Sequence, residues 1–216
     1  MTAPTTALAL FEHDRSLGFR FVAGADEAGR GAFAGPLVAA AVVFDYERVG
    51  DEVLTELTAL NDSKRLSLSR REELYPLVLR HASVAVTVSR CAAGIDCRGL
   101  HVTNLSALHE ALDHVARPGC TCLSDGYAVA ELGYPQQAIK KGDSTSAAIA
   151  AASVIAKVTR DRYMQRADKL YPGWGFAEHV GYGTAEHREA IERLGVSPLH
   201  RMSFNSAAYT QLKLAA

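Results

Sequence analysis

Residues 24–35 read GADEAGRGAFAG, with two adjacent carboxylates, Asp26 and Glu27, set among glycines and one arginine in an otherwise apolar neighbourhood. The residues leading into it, GFRFVAGADEA (18–28), have the character of a strand running into a turn, and PLVAAAVVFD (36–45) is a Val-rich run of strand length that can pair with it. Three readings compete for the stretch. The spacing G-x-x-x-x-G suggests a phosphate loop, but Arg30 and Gly31 stand where the phosphate-binding Lys and the metal-binding Ser/Thr should follow. GRGAFA (29–34) matches the dinucleotide pattern G-x-G-x-x-A, yet Pro36 and an apolar strand follow instead of a helix, and Asp26 and Glu27 would repel a pyrophosphate. The third reading is a metal site built from carboxylates. Neighbouring strand residues point to opposite faces, but where a strand ends or bulges both can reach one ion, and flanking glycines permit that backbone.

Working outward, SLSRREELYPLVLRHA (67–82) carries Ser69 with Glu72 as a capping-box start for a short helix, and SVAVTVS (83–89) alternates Val84, Val86 and Val88 on one strand face. GLHVTNLSALHEALDHVAR (99–117) has helical apolar spacing and is stopped by Pro118-Gly119. Two short strands follow, CTCLSDG ending in Asp125 and QQAIKKGD ending in Asp143. Residues 144–170 are Ala-rich with basic residues late, which predicts a long helix with a buried first half. GTAEHREAIERLG (183–195) predicts a helix capped by Thr184 and closed by Gly195. This order points to an α/β layered domain with a mixed sheet if the first strands form hairpins.

Asp125 and Asp143, each at the tip of a predicted strand, can join Asp26 and Glu27 in a cluster of four. Taken singly, Asp125-Gly126 could be a plain turn and Asp143 a plain helix cap; their shared placement favours the joint reading. Charges gathered this closely repel by ~4 kcal/mol per pair at ~4 Å and an effective dielectric near ~20, so a cation is needed to hold them ionised. An all-oxygen donor set favours Mg²⁺ or Mn²⁺. Asp143 also precedes the long helix, whose positive end favours its charged form.

With 216 residues, 48% hydrophobic and 22% charged, the composition is that of an ordinary globular chain. The net charge of −1 hides an asymmetry: residues 1–139 hold 12 Lys+Arg against 17 Asp+Glu, and residues 140–216 hold 11 against 7. An acidic first part and a basic last part suit carboxylate chemistry beside a face that holds a polyanion. Cys91, Cys97, Cys120 and Cys122 form no C-x-x-C pair and are read as buried free thiols; His179 and His187 are read as loop and helix-face residues. The N-terminus lacks a basic n-region, and the longest uncharged stretch, GAFAGPLVAAAVVF, has 14 residues, below a membrane span. The expectation is a cytoplasmic protein without a membrane segment.

In order, GADEAGRGAFAGPLVAAAVV, NDSKRLS, LSDG, KKGDSTSAAIAAASVIAKVTRD, GYGTAEH and SPLHRMSF resemble ribonuclease HII, the type 2 ribonuclease H family of bacteria, across residues 18–206. The resemblance implies a ribonuclease H-like mixed five-stranded sheet flanked by helices. It gives a catalytic domain over 1–170, with 1–17 a loose lead-in, and a C-terminal helical appendage over 171–216 packed on the same domain. It assigns two divalent metals to Asp26, Glu27, Asp125 and Asp143. Reading of a ribose 2′-hydroxyl falls to Gly29, Arg30, Gly31 and Tyr182, without which Tyr182 would be read as a packed aromatic. Lys64, Lys140, Lys141, Ser144, Ser153, Lys157 and Arg201 are candidates for phosphate contacts. Asp161, mid-helix among arginines, reads as an ion-pair residue, and Val180 stands where the family often has a lysine. The implied activity is cleavage 5′ to ribonucleotides embedded in duplex DNA, and of the RNA strand of RNA–DNA hybrids, by a chain that acts as a monomer. The rivals are a catalytically silent nucleic-acid-binding relative and, more distantly, a dinucleotide-binding protein.

Overall fold

The computed structural model describes residues 6–204. β1 (Phe21–Ala28) and β2 (Leu37–Asp45) are antiparallel neighbours, and β3 (Val84–Arg90) adds antiparallel to β2. On the other side of β1, β4 (Cys120–Asp125) and β5 (Gln136–Ile139) add in parallel, giving one five-stranded sheet in the order β3-β2-β1-β4-β5. The expected mixed sheet is present. The chain passes from the glycine-rich stretch directly into β2, so no helix offers its N-terminus to a pyrophosphate, and the dinucleotide reading falls.

Helices cover both faces, which is why β2 is buried along its whole length. Its side chains alternate with period two: Ala40, Val42 and Phe44 enter one core, and Leu37, Ala39, Ala41 and Val43 enter the other. The first core lies under α6 (Ala147–Leu170), with α1 (Thr6–Ser16), α2 (Asp51–Glu56) and α3 (Leu68–His81) around it. The second lies under α5 (Leu100–Asp113) and α4 (Ala92–Arg98). Small residues set the spacing of α6 on the sheet. Residues 147–156 are all buried, and a Cβ on Gly24 of β1 would stand 2.2 Å from the backbone carbon of Ala148. Only glycine admits that approach.

Several boundaries differ from the sequence expectations. β5 stops at Ile139, and Asp143 sits in a single 3-10 turn, Gly142–Ser144, rather than at a strand tip. α6 begins at Ala147, where the buried Ser146 hydroxyl accepts from Ile149 N at 3.3 Å. Ser67, not Ser69, caps α3: its hydroxyl accepts from Arg70 N, while Ser69 donates to Glu73. α5 ends at Asp113, ahead of the Pro118-Gly119 stop, and of the four thiols expected to be buried, Cys120 and Cys122 in β4 are, while Cys91 and Cys97 at α4 are exposed. Within the stretch expected to be a loose lead-in, residues 6–16 form α1. Ala7, Leu10 and Phe11, at helical spacing, are buried, and Asp14 accepts from Ala148 N at 2.9 Å and from the Tyr46 hydroxyl at 3.1 Å. A short apolar repeat thus anchors a helix whose acidic residue caps another.

Beyond α6 the chain forms α7 (Phe176–His179) and α8 (Ala185–Leu194), the latter capped by Thr184 and closed at Gly195 as expected. Phe176 packs with Met164, Ala167 and Ala34, which holds this end on the distal half of α6 and on the loop before β2. Residues 1–5 and 205–216 of the expected ranges lie outside the described residues.

Candidate active site

β1 and β4 run parallel with Ala25 opposite Ser124, so the next residues, Asp26 and Asp125, lie side by side where the β1–β4 ladder ends. Alternation puts both on the α6 face, with Val22 and Leu123. Gly142 N donates to Asp125 Oδ1 at 2.7 Å, which ties the 3-10 turn to the tip of β4 and brings Asp143 alongside. Oxygens of Asp26, Asp125 and Asp143 all lie within 4.8 Å of one another. Three acids from three places in the chain therefore converge.

Glu27 does not join that group. β1 neither ends nor bulges at the Asp-Glu pair; its ladder with β2 runs unbroken to Ala28, so Glu27 points to the opposite, α5 face. There it meets Asn104 of α5, which is fully buried. The Asn104 amide favours the charged carboxylate, yet neither amide atom nor Glu27 Oε2 makes a hydrogen bond of ordinary geometry. Glu27 thus keeps one buried carboxylate oxygen without a hydrogen-bond partner, close enough to Asp26 and Asp125 for their charges to be felt.

The electrostatics point the same way. Burial, then Glu27 and Asp125, push Asp26 well above the ordinary carboxylate range. Burial, then Asp62 and Asp125, raise Asp143 to about 6. Burial likewise raises Glu27, against the pull of Asn104 and Arg30. Lys64 is partly desolvated, but Asp26, Asp143, Asp62 and Asp125 together outweigh that and hold its ammonium charged. A divalent ion would relieve these shifts, and the all-oxygen donor set suits Mg²⁺ or Mn²⁺.

Two clefts meet at Lys64. One, of about 540 Å³, is lined by Asp62, Lys64, Arg65, Asp125, Lys141, Asp143 and Ser144. The other, of about 290 Å³, is lined by Glu27, Gly29, Arg30, Gly31, Ser63, Lys64, Lys157 and Tyr182, among others. The two clefts thus bring Asp125 and Asp143 on one side, and Glu27, the Gly-Arg-Gly stretch and Tyr182 on the other, around Lys64, with Lys141 and Lys157 beside them. Arg30 stacks over Tyr127 at 4.7 Å, and Lys157 lies 5.6 Å from the Tyr182 ring centre while pairing with Asp161 at 2.7 Å. Asp161 is the ion-pair residue that its surroundings suggested.

Other candidates are redirected. Arg201 is fully buried, with its guanidinium donating to Gly35 O at 3.0 and 2.8 Å and to Arg30 O at 3.0 Å; it clamps the glycine-rich loop instead of facing phosphate. Ser153 is also buried: it donates to Ala150 O and accepts from Ser63 N, anchoring the Asp62–Lys64 loop on α6. Lys140 is exposed at the end of β5, and its neighbour Lys141 is the one lining the cleft. Sequence reasoning missed Asn104 and Arg160. Arg160, fully buried on α6, donates to Ala34 O, Pro36 O and Val180 O. For Asn104 the available signal was an amide inside an apolar helical run; Arg160 lies among the charged residues of KVTRDR (157–162) and carried no such signal.

The family model for "Ribonuclease HII" matches residues 23–207. A ribonuclease HII of Salinispora tropica is 48% identical over 215 residues, spanning 96% of this chain and 78% of that protein. One of Rhizobium leguminosarum bv. trifolii is 50% identical over 191 residues, spanning 88% and 80%. Among solved structures, the ribonuclease H2 of Pyrococcus horikoshii OT3 superposes with a TM-score of 0.75 at 24% identity, covering 90% of this chain and 99% of that one, and so shares its fold. With its acids, loop and sheet order in place, the chain belongs to the ribonuclease HII family.

Proposed function

We propose that this chain is an endonuclease that hydrolyses the phosphodiester on the 5′ side of ribonucleotides embedded in duplex DNA, and the RNA strand of RNA–DNA hybrids, leaving a 3′-hydroxyl and a 5′-phosphate. The observation that carries the reading is the convergence of Asp26, Asp125 and Asp143 within 4.8 Å beside a cleft lined by Gly29–Gly31 and Tyr182. Divalent ions, when bound, activate a water and stabilise the departing oxygen. Asp26, Asp125 and Asp143 would hold them, and Glu27, whose charge already acts on Asp26, would add a fourth carboxylate. Lys64, kept charged by the same acids and lining both clefts, would receive the phosphate. Lys141, Ser144 and Lys157 extend the polar lining along the backbone path.

Choice of ribonucleotide requires contact with a 2′-hydroxyl. Gly31 is exposed, with open space where a Cβ would stand, so its main chain can approach a sugar closely. Tyr182, half-buried at the same cleft, can stack on the adjoining deoxyribose. We further propose that it acts as a monomer. No helix of the described residues is long and apolar enough to cross a membrane; we place the activity in the cytoplasm.

The test is an end-labelled DNA duplex carrying one ribonucleotide, incubated with Mg²⁺, Mn²⁺ or EDTA beside an all-DNA control. Cutting directly 5′ of the ribonucleotide, dependent on metal and reduced more than about a hundredfold by Asp143→Asn, is expected. Binding without cutting would instead support a silent relative, and equal cutting of the control would refute the ribonucleotide preference.

A further inference from the structure

Three histidines form a buried group at the turn that carries Tyr182. His179 and His187 stack with centroids 4.1 Å apart, and His187 Nε2 lies 3.1 Å from His200 Nε2. His187 is completely buried and His200 nearly so. The partners of these rings settle where each proton sits. Ser197 N lies 2.8 Å from His200 Nδ1, and a backbone N–H can only donate, so Nδ1 accepts and the proton of His200 is on Nε2. That Nε2–H then donates to His187 Nε2, which leaves the His187 proton on Nδ1. Nδ1–H donates in turn to the Tyr182 carbonyl at 2.9 Å. Each link dictates the next.

His179 grips the residues on the other side. Gly181 N donates to its Nδ1 at 3.1 Å, and its Nε2–H donates to Trp174 O at 2.7 Å. The Tyr182 N–H donates to His179 O at 2.9 Å. Burial is the chief cause holding His187 and His200 at about 4, so both rings stay neutral near pH 7 and the chain of donors is intact there. The same turn is tied to the glycine-rich loop, since Gly181 O accepts from Phe33 N and Ala34 N.

We propose that His187 and His200 are positioning residues for Tyr182: the imidazole chain starting at the Ser197 amide fixes the Tyr182 peptide, and with it the ring presented to the cleft. The inference rests on Tyr182 being a substrate contact. Neither imidazole touches substrate, and the metal-binding acids sit on other elements. Losing the chain should therefore alter substrate choice more than it alters phosphodiester hydrolysis.

The first measurement is made on the unmodified protein: long-range ¹H–¹⁵N NMR should find His187 as the Nδ1–H tautomer and His200 as the Nε2–H tautomer. The reverse assignment overturns the proposal and does not depend on any variant folding. The second compares kcat/KM on a duplex carrying one ribonucleotide with kcat/KM on a continuous RNA–DNA hybrid. Tyr182→Ala and His187→Leu should each lower that ratio by about tenfold, the weight of one well-placed contact. His187→Asn, whose amide can donate near the Nδ1 position, should stay within about twofold of the parent. If Tyr182→Ala leaves the ratio unchanged, the substrate role of Tyr182 fails and the proposal falls with it. If Tyr182→Ala lowers the ratio and His187→Leu does not, the positioning role alone is refuted. Equal losses in His187→Leu and His187→Asn would mark simple packing and refute it too.

Discussion

Asp143 is 5% exposed and raised to about 6, chiefly by burial and then by Asp62 and Asp125. A carboxyl whose folded pKa lies above its unfolded value is penalised in its charged form. The penalty is fully present above about pH 6 and vanishes below the ordinary carboxylate range. Asp143→Asn should therefore stabilise the metal-free protein at pH 7.5 by up to about 3 kcal/mol while abolishing cleavage. Thermal melting in EDTA at pH 7.5 and pH 4 checks this: the gain should be large at the first and small at the second, and a lower melting temperature at pH 7.5 would contradict it. The aspartates were legible because Asp-Glu among glycines excludes anion sites. The separation of Glu27 from Asp26 was not, since it depends on β1 continuing regularly to Ala28. Arg201 was misread because a basic residue late in a basic segment looks like a phosphate contact until its carbonyl partners are seen.

At the scale of elements, α6 begins with two caps from different sources: Ser146 serves Ile149 N, and Asp14 of α1 serves Ala148 N. The second is a tertiary cap, and Asp14 is fully buried. Asp14→Ala strands both Ala148 N and the Tyr46 hydroxyl and should cost about 2–4 kcal/mol, whereas Asp14→Asn, retaining an acceptor, should cost less. Urea denaturation of the three proteins measures it; an unchanged midpoint in Asp14→Ala would remove the cap from the account. The strands, α6 and α8 were legible because their periodicities are long or their caps local. α1 was undervalued because an eleven-residue helix gains its stability from burial against α6, which local sequence does not display.

Across the whole molecule, two fully buried arginines join the C-terminal segment to the sheet: Arg160 holds Ala34, Pro36 and Val180, and Arg201 holds Arg30 and Gly35. Their targets are carbonyls, so a lysine cannot reproduce the forked geometry. Arg201→Lys should destabilise by about 2–4 kcal/mol and lower ribonucleotide preference, because the loop it clamps lines the cleft. Denaturation midpoints and the ratio of cutting on ribonucleotide-bearing and all-DNA duplexes read the two effects, and a destabilised variant with unaltered preference would confine Arg201 to structure. The order of the strands also imposes an order in time. β1, β2 and β3 are contiguous antiparallel neighbours and can pair while the remainder of the chain is still being synthesised, but the partner of β1 on its other edge begins at Cys120. Asp143 emerges later, and Tyr182 later again. On the proposed function, a nascent chain therefore gathers its acids before the turn that carries Tyr182 is made, and it would become selective only as its last elements dock.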